Sequence, residues 1–279
     1  MSTNISTPAT VPALPVIFTL SQRELVRFFR QKNRVFGALV QPIIFWLLFG
    51  AGLGTASVES GNAEPAKLDY SHFFPGTLVM IILFTAIFAT ISIIEDRREG
   101  FLQGVLVAPV PRWSIVMGKV LGGSAIAMLQ GLVFLFLGWI TGKIAWFGIT
   151  IISTTLPQLI AAIALMLVIS IALTALGFLI AWRMDSTQGF HAIMSVFLLP
   201  MWLLSGAFFP MDVGGWLGWI VWINPLTYGV AGLRHYLQNG NVADLPSLSV
   251  CWLVSLAFAA VTFAAAWSIA GTRSTGDLL

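Results

Sequence analysis

Five consecutive ionisable side chains, Glu95, Asp96, Arg97, Arg98 and Glu99, stand between two long apolar runs. Acids and bases placed side by side form ion pairs and charge-assisted hydrogen bonds, so the chemistry they offer is docking and orientation. Arg112 closes the same segment, in a chain of 279 residues of which only 9% are charged. Charge this scarce, gathered in one place, presents a surface to a partner in water.

Bond-breaking chemistry finds no comparable set. It would need paired Asp, a Ser/His pair or a His/Glu metal cluster close together. Asp185 and Asp212 fall at opposite ends of one apolar run, and no His-Glu-x-x-His motif occurs. His191 lies inside an apolar run without a carboxylate at helical spacing, and His72 and His235 fall at run boundaries. Cys251 is the only cysteine, which leaves it a packing role. A phosphate-binding Gly-x-x-x-x-Gly-Lys loop is absent: Gly118-Lys119 has Trp113 five places before the glycine, and Gly142-Lys143 has Leu137. No catalytic residue, metal site or cofactor bound by this chain is expected.

The elements that must position the charged segment are apolar. Hydrophobic residues make up 58% of the chain and the mean hydropathy is +0.92. A soluble domain is about half apolar and about a quarter charged, so this chain is an integral membrane protein. A helix needs about 20 apolar residues to cross a hydrocarbon core of roughly 30 Å. Six runs qualify: Val35–Gly54, Phe73–Ile94, Val120–Gly142, Ile151–Trp182, Ser186–Met211 and Pro246–Thr272. Their backbones must be satisfied internally, which makes them helices and the fold all-α. A cleavable signal peptide is not expected, since the first run follows a polar tail and a basic segment and exceeds a signal core in length. The small positive excess and the pI of 9.4 fit an anionic membrane surface better than nucleic acid.

Lys and Arg set the orientation. With six spans and the N-terminus inside, Arg23, Arg27, Arg30, Lys32, Arg34, Arg97, Arg98, Arg112, Lys119, Arg183 and Arg273 fall inside, and Lys67, Lys143 and Arg234 outside. Both termini and the 95–112 loop are thereby expected in the cytoplasm. A seventh uncharged run, Val213–Leu233, is interrupted by Asn224-Pro225. Proline disfavours helix at the residue before it and removes a donor. The halves then read as two short helices dipping into the outer leaflet over residues 213–237; a kinked seventh span is the alternative.

Residues 1–20 read as a disordered tail and 21–34 as an interfacial helix. Ser21 and Glu24 have capping-box spacing. At 100° per residue Arg23, Arg27, Arg30 and Arg34 share one face, with Leu25, Phe28, Phe29 and Phe36 opposite. This places the arginines toward lipid phosphate or a partner. Residues 35–272 then form the six-span domain and 273–279 a cytoplasmic tail. In the charged loop, Phe101, Leu102, Val105 and Leu106 make one stripe of a short helix stopped by Pro109 and Pro111. A solvated turn with local pairs such as Glu95–Arg98 explains the charges equally well. The spacings Gly50-x-x-x-Gly54 and Gly118-x-x-x-Gly122 allow close helix approach, within the chain or between two copies.

The segment from Arg98 to Gly123 resembles the cytoplasmic loop of type-2 ABC exporter permeases. Arg98, Glu99, Gly100, Leu102, Pro109 and Val110 fit that pattern, while Phe101 and Gln103 replace the usual Thr and Glu. Phe74-Pro75-Gly76, Leu204-Ser205-Gly206-Ala207-Phe208-Phe209-Pro210 and Asn224-Pro225-Leu226-Thr227-Tyr228 extend the resemblance over roughly residues 20–270. It implies six spans, an interfacial helix, a coupling helix between spans two and three, and a re-entrant pair before span six. It also implies a dimer with separate ATPase subunits that carry ATP and Mg. Glu95, Asp96, Arg97, Arg98, Glu99, Gly100, Phe101, Leu102, Val105 and Leu106 would then couple to the ATPase, with Arg98 and Glu99 as polar and Phe101 and Leu102 as apolar contacts. The export cargo implied is amphipathic: a drug, a lipid or a lipid-linked glycan. A secondary transporter or an assembly factor without an ATPase is the competing reading.

Overall fold

The computed structural model describes residues 12–32, 35–37, 40, 42–48, 70–143, 154–207, 214–238 and 245–271. Arg34, the Gly50-x-x-x-Gly54 spacing, residues 1–11, 208–213 (with Asp212) and 272–279 lie outside them. The described residues are helical, joined by turns. In order they are α1 (Ala13–Arg30), α2 (Val35–Leu48), α3 (Tyr70–Arg98), α4 (Phe101–Val107), α5 (Arg112–Lys143) and α6 (Leu156–Trp182). There follow α7 (Thr187–Ala207), α8 (Trp216–Ile223), α9 (Pro225–Leu237) and α10 (Leu248–Gly271). Five of these, α3, α5, α6, α7 and α10, are long and apolar enough to cross a membrane, and α2 is a shorter apolar helix.

The most buried span is α3, and α10 is the least. Around α3 pack α5, α6, α9 and the end of α7. Phe74 of α3 stacks on Phe134 of α5 at 4.8 Å, and Trp46 of α2 meets both edge-on at 6.0 and 5.7 Å. Buried polar side chains pair between helices, as an apolar surround favours: Thr85 of α3 donates to Gln130 of α5, and Ser124 to Thr174 of α6 at 3.3 Å.

The N-terminal helix differs from expectation in both start and orientation. It begins at Ala13, not Ser21. The Ser21 hydroxyl caps no helix; it donates to the Gly118 carbonyl at 2.9 Å. The added turns are held by packing, since Ile17 and Leu20 are buried against α5. Gly118 and Gly122 make room for them: a Cβ on Gly118 would meet Leu20 Cβ at 2.8 Å, and one on Gly122 would meet Glu24 Cβ at 2.9 Å. The Gly118-x-x-x-Gly122 spacing thus serves packing within the chain. The outer stripe of α1 is apolar, with Leu14, Phe18 and Phe29 exposed, while Arg23 and Arg27 turn inward.

Past α6, the helix α7 is not uniform. Its turns widen to π geometry at Met194–Leu198 and Leu203–Ala207, a form that recurs where a helix is locally strained. Gly206 sits at φ +75°, which glycine adopts without steric cost. The carbonyls released there find donors: Asn224 Nδ2 reaches the Met201 carbonyl at 2.5 Å and Arg234 Nη2 the Gly206 carbonyl at 3.1 Å. Trp202 Nε1 reaches the Gly76 carbonyl at 2.8 Å, and a Cβ on Gly76 would meet Ala207 Cβ at 2.5 Å. Three of the segments quoted above, around Pro75, Gly206 and Pro225, therefore meet at one end of the bundle. The interruption at Asn224-Pro225 is real: Asn224 ends α8 and caps α9, accepting from Leu226 N at 3.0 Å. The two helices have 8 and 13 residues. At 1.5 Å per residue they are about 12 and 20 Å long, too short to cross singly.

Candidate functional site: the charged end of the bundle

At the opposite end, α3 does not stop at Glu95. It runs on to Arg98, so the five charged residues form its last helical turn and the turn beyond. Gly100 then breaks the helix at φ +76°, a left-handed conformation that suits a residue without Cβ. The short helix α4 follows, ended by the prolines at 109 and 111 as its spacing predicts, and α5 starts at Arg112.

Asp96 is fully buried. Its carboxylate accepts both guanidinium nitrogens of Arg23, at 2.7 and 2.9 Å, Nη1 of Arg27 at 2.6 Å, and Nζ of Lys119. Lys119 also reaches Glu24 at 2.5 Å. A buried carboxylate keeps its charge only when paired and hydrogen-bonded, and four bonds from three cations meet that demand. Burial opposes the charge on Arg23, but the hydrogen bonds and the charge of Asp96 outweigh it and hold that guanidinium above its ordinary pKa. At the rim, Arg27 Nη2 bridges Glu95 at 2.9 Å and Glu99 at 3.1 Å. Arg23 also lies over the Phe101 ring at 3.7 Å, a cation–π contact that ties α1 to α4.

The two basic members of the turn face the other way. Arg97 donates to the Trp182 carbonyl at 2.5 Å and to Asp185 Oδ1 at 3.1 Å, and Arg98 Nε donates to the Asp185 carbonyl at 3.0 Å. The carboxylates thus hold α1 and α5, and the guanidiniums hold the turn between α6 and α7. A local Glu95–Arg98 pair does not account for these charges. Arg112, at the start of α5, donates to the Ala270 carbonyl at the end of α10, 3.1 Å away.

The structure brings together Arg23, Arg27, Glu95, Asp96, Glu99 and Phe101. It turns Arg97 and Arg98 to a second place, leaves Arg30 exposed, and puts Asn224 and Pro225 at the far end. Leu102 is buried and anchors α4, whereas Gly104 and Val107 face outward, Val107 being 74% exposed. Arg23 and Arg27 are therefore occupied inside the chain instead of facing lipid phosphate. The sequence reading gives Glu24 to a capping box with Ser21 and counts Lys119 among the inside charges, and pairs neither with Asp96. The signal was there: Lys119 follows Arg112 by seven residues within one long helix, a depth at which a charge needs a partner.

Comparison with known proteins decides the family. Residues 15–237, from α1 through α9, match the ABC-2 type transporter family. The chain belongs to that family. It is similar to the putative transport permease ycf38 of Cyanophora paradoxa, 27% identical over 81% of this chain and 75% of that protein. It is also similar to a probable multidrug ABC transporter permease, YbhR, of Escherichia coli K12, 27% identical over 67% of this chain and 48% of that one. The linearmycin resistance permease protein LnrN of Bacillus subtilis 168 is 28% identical over 76% of this chain and 51% of its own length. This ABC-2 chain is accordingly a multi-pass membrane protein, helical in its described residues, and the membrane subunit of an ABC transporter, a family whose members associate with ABC ATPase subunits. The relatives are named as transport permeases, in keeping with a transport subunit.

Proposed function

We propose that this chain is the permease of an ATP-driven exporter, that two copies enclose the pathway, and that a separate ATPase carrying ATP and Mg docks on α4. The carrying observation is the placement of α4: a two-turn helix held from behind by the Asp96 cluster and by Leu102, with its Gly104–Val107 side open. A helix so anchored transmits a push without bending away from it. In this reading the charged end is cytoplasmic, both termini are inside, α2 is the first of six spans, and α8 with α9 re-enter the outer leaflet. The interfacial helix α1 lays its apolar stripe on the inner leaflet and flanks the same ATPase. ATP closes the ATPase pair, α4 shifts, and an amphipathic drug, lipid or lipid-linked glycan leaves the plasma membrane outward. One relative carries multidrug and another linearmycin resistance in its name, which supports a hydrophobic or amphipathic cargo.

Val107→Asp tests the docking. A charge at the centre of an apolar contact should weaken ATPase association about tenfold or more, with membrane insertion and thermal stability unchanged. Copurification of the ATPase at the wild-type level would remove α4 as the docking element. A wild-type chain that brings down no ATPase would favour a secondary transporter or an assembly factor.

A further inference from the structure

We propose that Arg97 is the positioning residue through which movement of α4 reaches α7, an inference that rests on the exporter reading above. Its guanidinium grips the turn between α6 and α7 at three points: the carbonyls of Trp182 and Met184, at 2.5 and 3.4 Å, and Asp185 Oδ1 at 3.1 Å. It lies 5.8 Å from the centre of the Trp182 ring. The Trp182 carbonyl is the last of α6 and the Met184 carbonyl lies just past it, at a helix end that leaves acceptors without intrahelical donors and concentrates negative charge. A cation that caps them is held by geometry and by field together. Arg98 adds a fourth bond to the same turn through the Asp185 carbonyl.

The turn leads directly into α7. Ser186 caps that helix by accepting from Gly189 N at 3.3 Å. On the other side, only Arg98, Glu99 and Gly100 separate Arg97 from α4, and the Gly100 amide donates to the Arg97 carbonyl at 3.2 Å. The path from α4 to the start of α7 is therefore short and bonded throughout. At its end stands the span with two widened turns and a glycine break, the features at which helices yield. Phe197, on the first widened turn, is exposed. The acidic half of the charged turn fixes α1 and α5; Arg97 delivers the same displacement to the span built to bend.

The test uses a spin label on Phe197→Cys in the permease–ATPase complex in nanodiscs. Cys251, the only other thiol, is buried. Label mobility is compared without nucleotide and after trapping with ATP and vanadate. In the otherwise unchanged chain the spectrum should shift on trapping. With Arg97→Met the shift should be lost while the ATPase remains bound and hydrolyses ATP, and Arg97→Lys, which keeps the charge and fewer of the bonds, should restore part of it. Should Arg97→Met fail to insert, Arg97→Gln is read in its place. A full shift in the Met or Gln variant overturns the role of Arg97, and no shift in the unchanged chain overturns the routing to α7. Absence of an ATPase from the unchanged complex overturns instead the exporter reading beneath it.

Discussion

Asp96 carries the heaviest electrostatic demand in the chain. It is fully buried, as are Lys119 and Glu24 to within a few per cent. Breaking one partner out of such a cluster strands the others, which costs about 3–5 kcal/mol, whereas replacing the whole set by apolar residues can be neutral. Lys119→Met and Asp96→Ala are each expected to lower stability by that amount, read as a fall in the thermal unfolding midpoint of the detergent-purified protein by tryptophan fluorescence. Arg30→Ala, whose side chain is exposed, should move it little. The five charges of 95–99 were visible in the sequence as a cluster. Which way each one points was not, because neighbouring residues on a helix project about 100° apart and only the packed neighbours decide what each one meets.

At the scale of elements, α1 shows how small residues place a helix. Gly118 and Gly122 let its backbone settle against α5 closely enough for Ser21 to bond the Gly118 carbonyl. A larger side chain there forces the helices apart, at about 1–3 kcal/mol. Gly122→Leu should therefore lift α1 and expose Arg23 and Arg27, and limited trypsin digestion should cut after them faster than in the wild type; an unchanged digestion pattern would contradict this packing. The Asn224 interruption is a second element-scale feature. Asn224→Ala removes the α9 cap and the bond to Met201, and should cost about 1 kcal/mol for the cap alone, measured by the same thermal unfolding. Periodicity and proline found the short helices α4, α8 and α9 because local chemistry ends them. It misplaced the start of α1 because residues 13–20 are helical through contact with α5, which no local signal encodes.

At the scale of the whole molecule, two bonded ends frame the bundle. One is ionic and joins α1, α3, α5 and the α6–α7 turn. The other is built from neutral amides and carbonyls with one arginine, and joins α3, α7 and α9. The span α3 belongs to both and is the most buried, which makes it the member best placed to carry a displacement from end to end. Topology is the prediction proper to this scale. With six spans a fluorescent protein fused at the C-terminus should glow and an alkaline phosphatase fused there should be inactive; an active phosphatase would require an odd number of crossings.

Composition and the unbroken apolar runs determined that this is a helical membrane protein, since a run of about 20 apolar residues lacks the alternation of a barrel strand and must satisfy its backbone within itself. Short motifs pointed to the family and to the charged turn as the segment where an ATPase is proposed to dock. Tertiary structure decided the rest. It showed that Asp96 faces inward while Glu99 stays at the rim, that Lys119 is a partner and not a flank, and that Arg97 binds carbonyls more than eighty residues away in sequence. The reason is physical: a charge in an apolar chain announces that a partner exists, but the identity of that partner depends on which helices pack together.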